Sequence, residues 1–176
     1  ACLTLSTMSA YAQSSNLTVY GVNDIGISRL SNTKSHASNE LTSGLVNTSR
    51  IGFRGTEDLG GGLSAIFNLE AGTALDTGGA GSSSSFWNRA SFLGLRSSSF
   101  GTITLGKQRT AIFDVMGNFS GQSYFGGSAA RIEGAPVAGS TLAIQGFNNR
   151  IGTDRPDNSI KYTSASFSGL KFHGMW

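Results

Sequence analysis

The chain has 176 residues, of which 13% are charged, and 13 Lys and Arg against 10 Asp and Glu give +3; the charged fraction is about half that of an ordinary soluble domain, and the bias is too mild to indicate nucleic acid as a partner. The 25 glycines follow no Gly-X-Y period, and with abundant Ser, Thr and Asn they disfavour both collagen and a helical bundle. Two Trp, four Tyr and eleven Phe argue against disorder, the single cysteine (Cys2) excludes a disulfide scaffold, and no apolar run reaches the roughly 18 residues of a membrane helix.

Residues 1–12, ACLTLSTMSAYA, are small and moderately apolar and end Ala10-Tyr11-Ala12, a small-x-small cleavage pattern. They read as the C-terminal part of a secretory signal peptide, cut between Ala12 and Gln13. An acylated Cys2 is disfavoured because the cleavage pattern follows it.

Beyond residue 13 the pattern has period two. Leu17, Val19, Ile25 and Ile27 share one parity, and Thr18, Tyr20, Asp24 and Ser28 the other. Ile51 and Phe53 alternate with Arg50, Gly52 and Arg54. Leu63, Ala65, Phe67, Leu69 and Ala71 alternate with Ser64, Asn68 and Glu70, with Ile66 out of place. Over 86–97, Ala90, Phe92 and Gly94 are set against Arg89 and Ser91, while Leu93 and Leu95 blur the contrast. Ile103 and Leu105 alternate with Thr102 and Thr104, and Ile160 and Tyr162 with Ser159, Lys161 and Thr163. This is the signature of strands with one apolar and one polar face.

Short connections at 58–62, 97–101 and 167–169 carry glycine, and long ones cover about 31–47, 76–85 and 110–157. Short and long alternate, as in transmembrane β-barrels with tight turns on one rim and long loops on the other. A soluble β-sandwich also alternates, but its strands are shorter and its loops lack this asymmetry. The expected fold class is therefore an all-β, antiparallel transmembrane barrel.

Several segments resemble Gram-negative general porins, closest in flavour to the trimeric porins of β-proteobacteria. Leu17-Thr18-Val19-Tyr20-Gly21-Val22 resembles their first strand, and Ser49 to Gly60 their second strand and first turn. Asn88 to Leu95 resembles the fourth strand, Phe100 to Lys107 the fifth, Asn158 to Tyr162 the sixth and Phe167 to Phe172 the seventh. The resemblance implies a sixteen-stranded barrel of which 13–176 supplies about the first seven strands, with a constriction loop over about 110–157 folded into the lumen. It implies a homotrimer in the bacterial outer membrane, in contact with lipid and lipopolysaccharide, passing small hydrophilic solutes and ions without a cofactor. The chain stops inside a strand-like run, Lys171 to Trp176, and reads as a fragment. Half a barrel has open edges that lipid does not tolerate, so the segment alone is not expected to conduct.

Ion preference depends on charge at the narrowest point of a pore. Parity points Arg50 and Arg54 inward, and Arg89 and Lys161 fall on polar faces, with Arg155 in phase with Lys161. Glu70 also faces inward, positioned to pair with a wall arginine. In the family, basic wall residues face acidic groups of the third loop. Arg50, Arg89 and Arg155 match three such wall positions, whereas a fourth is Val22 here. Asp114 and Glu133 are the only acidic residues from 110 to 150. Many cations facing few anions lead to an expected preference for anions. Lys107 has apolar parity, which suggests a subunit contact, and Arg109 shares its ambiguity. Trp87 and Trp176 are candidates for headgroup girdles.

An enzyme is disfavoured, because His36, read as a loop residue, and His173, read as a strand residue, each stand without a Ser-His-Asp constellation. One Cys and two distant His make no metal site. A solute-specific channel, for sugars or organic anions, is the nearer alternative. Phe113, Phe119, Tyr124, Phe125 and Phe147 lie in the third loop, but at irregular spacing.

Overall fold

In the computed structural model the described residues are 16–33, 36–116 and 155–176, with side chains described outside 30–38 and 116. They form strands β1 (Asn16–Val22), β2 (Ile25–Thr33), β3 (His36–Ser43), β4 (Arg50–Gly60), β5 (Leu63–Ala74), β6 (Gly79–Ala80), β7 (Ala90–Ser97), β8 (Gly101–Lys107), β9 (Ser159–Thr163) and β10 (His173–Met175), and one short helix, α1 (Ala111–Met116). The main sheet runs β1-β4-β5-β7-β8-β9-β10, with β6 against the end of β5. Every pairing is antiparallel, and β1 and β10 form the two open edges.

The short turns fall where glycine supplies left-handed backbone. Gly60, Gly61 and Gly62 sit at φ 83°, 62° and 78° between β4 and β5, a conformation that costs other residues about 1 kcal/mol or more. The turn at 167–169 closes with reciprocal backbone hydrogen bonds between Phe167 and Leu170, both 2.9 Å.

Directly paired residues share a face, so the register defines both sides of the sheet. One row reads Leu17, Gly55, Phe67, Leu93, Leu105, Ile160, and beside it run Ala65, Leu95, Ile103, Tyr162. The opposite face carries Thr18, Arg54, Asn68, Phe92, Gly106, Ser159 in one row and Tyr20, Gly52, Glu70, Ala90 in another. The apolar row is the uncovered one: Leu17 is 64% and Leu93 62% exposed. A water-soluble sheet buries that face against a second layer, whereas a barrel wall turns it to lipid.

Three expectations from the sequence need correction. On β7 the faces are reversed. Phe92 and Gly94 join the polar face and Leu93 and Leu95 the apolar one, because pairing aligns the leucines with Phe67 and Leu105 and with Ala65 and Ile103. Both parities of β7 hold apolar residues, and only the neighbouring strands break the tie. Second, the first strand ends at Val22. Ile25 and Ile27 belong to a β2–β3 hairpin that forms its own two-stranded sheet, and 36–43, expected within a long loop, is its returning strand. His36 thus opens a strand. Third, α1 begins the connection expected to be loop, where Thr110 Oγ1 accepts the Phe113 N–H at 3.2 Å as an N-terminal cap.

Candidate functional site

The polar face gathers its charge where β4, β5 and β7 meet the long connections. Glu70 lies at the centre. Its Oε1 accepts from Arg89 Nε at 2.6 Å, and its Oε2 lies 3.7 Å from Arg50 Nε. All three side chains are at most 19% exposed, so the pairs are more strongly coupled than a surface ion pair. The Tyr20 hydroxyl sits between Glu70 Oε2 at 2.8 Å and Asn68 Oδ1 at 2.9 Å. Tyr20 reaches them because Gly52 lies opposite it. A Cβ on Gly52 would collide with the Tyr20 ring. The same ring carries the Arg54 guanidinium, 5.2 Å from its centroid.

Arg89 precedes β7, in a bend rather than in the strand, so parity does not govern it. Its N–H donates to Glu70 O at 3.1 Å, and that contact delivers the side chain to the Glu70 carboxylate. Arg155 follows, donating from Nη1 to Arg89 O at 2.6 Å.

Lys161, on the polar face of β9, donates from Nζ to Asp114 Oδ2 at 2.7 Å and to Arg109 O at 3.1 Å. These two contacts hold α1 over the polar face, where Arg109 stacks on Phe113, its Cζ 4.3 Å from the ring centroid. Partial burial lowers the Arg109 pKa, and Arg89 lowers it further, while Glu70 and Asp114 oppose the shift. The guanidinium remains a cation at physiological pH. Arg50, Arg54, Arg89, Arg109, Arg155 and Lys161 thus share this region with two carboxylates, Glu70 and Asp114.

Glu133 and the aromatics Phe119, Tyr124, Phe125 and Phe147 lie outside the described residues, as does the leader segment 1–12. Lys107 does have apolar-face parity, opposite Ser91. Its Nζ bonds Asp157 Oδ1 at 2.6 Å, so it is neutralised at the strand end beside the long connection. Trp87 packs edge-on against Phe53 and Phe86, with centroids 6.1 and 4.7 Å away. His173 Nδ1 lies 3.2 Å from Thr163 Oγ1. No group of three or more metal-binding side chains forms among the described residues.

Parity alone misses two features. Arg96 falls on the polar face opposite Ser64 and Thr102, visible only once the β7 faces are corrected. Gln108 is 1% exposed. Its Nε2 donates to Thr104 O at 3.1 Å and Ser159 Oγ at 3.3 Å, tying β8 to β9 where the chain leaves the sheet. A lone Gln after a strand gives no sequence signal of that.

An antiparallel wall with an exposed apolar side and a cation-rich polar side is that of a membrane β-barrel. Comparison with known proteins agrees. All of residues 1–176 match the family model described as Gram-negative porin. An outer membrane porin protein of Bordetella pertussis is 32% identical over 137 residues, covering 78% of this chain and 32% of its own length. A major outer membrane protein P.IB of Neisseria gonorrhoeae is 29% identical over 170 residues, covering 90% of this chain and 42% of that protein. Among solved structures, the anion-selective porin from Comamonas acidovorans superposes with a TM-score of 0.71 at 26% identity, covering 92% of this chain and 46% of that one. The chain belongs to the Gram-negative porin family, whose members are β-barrels of the bacterial outer membrane. It spans less than half the length of these relatives.

Proposed function

We propose that the polar face lines the lumen of a passive diffusion channel for small hydrophilic solutes and ions, with a preference for anions. Residues 13–176 contribute the first strands of a barrel that closes with further strands and assembles as a homotrimer. The connection over about 110–157 enters the lumen and narrows it, with Arg50, Arg54, Arg89, Arg155, Lys161, Glu70, Asp114 and Glu133 setting the field.

The observation that carries the reading is the imbalance where the polar face meets the long connections; Asp58 lies farther along that face, opposite Ser64 near the tight turn. Glu70 is bracketed by Arg50 and Arg89 and Asp114 is held by Lys161, so both carboxylates are already paired, while Arg54 lies over Tyr20 and Arg109 over Phe113. Fixed cations flanked by low-dielectric walls concentrate anions along the path. A structural neighbour named as anion-selective supports the same sign.

The test is the reversal potential of the full-length porin in a planar bilayer under a salt gradient. An anion-selective potential that shifts toward zero in Arg50→Ala and Arg89→Ala, by about three- to tenfold in permeability ratio, is expected. A cation-selective potential, or arginine variants without effect, would overturn the reading.

A further inference from the structure

Between β1 and β2 the chain turns at Asn23 and Asp24, and among the described residues the Asp24 carboxylate meets backbone N–H groups rather than a cation. Its Oδ1 accepts from Leu45 N–H at 3.1 Å, and its Oδ2 from Val46 N–H at 3.0 Å and Asn47 N–H at 2.6 Å. The Asp24 main chain is held too. Ser49 Oγ accepts its N–H at 3.0 Å and donates to its carbonyl at 2.8 Å, and Gly44 N–H donates to the same carbonyl at 2.8 Å. Ser49 is 1% exposed. The link from β3 to β4 is therefore tied to Asp24 along its length.

The far end of that link holds Arg50. Its Nη1 donates to Asn47 Oδ1 at 2.9 Å and to Thr48 O at 2.8 Å, which leaves Nε facing Glu70 at 3.7 Å. Two successive hydrogen bonds thus run from the Asp24 carboxylate to the Asn47 N–H and from Asn47 Oδ1 to the guanidinium, with Leu45 and Val46 held in parallel by the same carboxylate. We propose that Asp24 is a positioning residue for ion preference: by fixing residues 45–49 it aims Arg50 along the polar face. This rests on the lumenal reading of Arg50 given above.

The sign of the effect separates positioning from simple charge. Removing a negative charge near a conduction path, with nothing else changed, raises anion preference. Releasing Arg50 lowers it. Reversal potentials of the full-length porin are compared for Asp24→Ala, Asn47→Ala, Arg50→Ala and the Asp24→Ala/Arg50→Ala double variant. Asp24→Ala is expected to lower the anion-to-cation ratio about two- to fivefold and to add nothing in the Arg50→Ala background, as coupled residues do. Asn47→Ala keeps every backbone bond to Asp24 and removes one acceptor from Arg50, so it reads the same path if Asp24→Ala does not assemble. It is expected to lower the ratio as well. A rise in the ratio for Asp24→Ala or Asn47→Ala, or independent multiplicative effects of Asp24 and Arg50, overturns the proposal while leaving the lumenal role of Arg50 intact. An Arg50→Ala variant without effect overturns that role itself.

Discussion

Along β5, Phe67 and Leu69 point one way and Asn68 and Glu70 the other, and the two faces are built by different rules. The apolar face is mostly a repeat of large apolar residues: Phe67, Leu93, Leu105 and Ile160 lie side by side, with Gly55 between Leu17 and Phe67 leaving room for the Phe67 ring. The polar face is a set of specific contacts. Glu70 takes two arginines and a tyrosine, and Tyr20 needs a glycine opposite it. Lipid asks only for low polarity, while a charged face beside water requires each buried charge to be answered by a partner. Apart from Gly55, which the Phe67 ring covers, substitutions on the first face should therefore depend chiefly on polarity, and those on the second on geometry.

The largest expected effect is on the apolar face. Leu93→Arg places a cation against lipid at a cost of about 2–4 kcal/mol near the midplane, and should abolish the folded-barrel band after refolding in detergent. Phe92→Arg, one residue away, should assemble and raise anion preference. Next is Glu70→Gln, which leaves Arg50 and Arg89 close together without their shared carboxylate. A loss of about 1–3 kcal/mol is expected as a lower barrel melting temperature, accompanied by a higher anion-to-cation ratio. Gly52→Ala is smaller. Its methyl displaces the Tyr20 ring, costing about 1 kcal/mol as the hydroxyl leaves Glu70, again read by thermal melting. The smallest is Lys107→Met. Asp157 is 73% exposed, so the lost pair is worth about 0.5 kcal/mol or less, and the reversal potential should not move.

The same contrast explains what could be read from the sequence. The apolar face follows from alternation in β1, β4 and β5, where one parity is polar or glycine apart from Val22, Ile66 and Ala74. It fails on β7, because Ala90, Phe92 and Gly94 compete with Leu93 and Leu95 and the tie is broken by strands far away in sequence. The break at Asn23 and Asp24 was hidden because parity continues through Ile25 and Ile27. What sends β2 into its own hairpin is the bonding of Asp24 to residues 44–49, which alternation cannot register. On the polar face, Arg50, Arg54 and Glu70 were legible because each sits inside a clean strand. Arg89 was assigned to that face by parity, yet it reaches Glu70 from a bend outside the strand. Lys107 illustrates the reverse case. Its parity was read correctly, but its partner in this chain, Asp157, lies 50 residues on, beyond the reach of alternation. Gln108 was invisible, since a buried amide bridging two strands looks in sequence like any polar residue in a loop.

The central claim is that the polar face, including the reassigned side of β7, borders the water path. It is tested most directly by single cysteines at positions 92 and 93 of the full-length porin, exposed to an anionic, membrane-impermeant thiol reagent during conductance recording. Modification of Phe92→Cys with a fall in conductance and in anion preference, and no reaction of Leu93→Cys, is the predicted result. Reaction of Leu93→Cys with Phe92→Cys silent would contradict it.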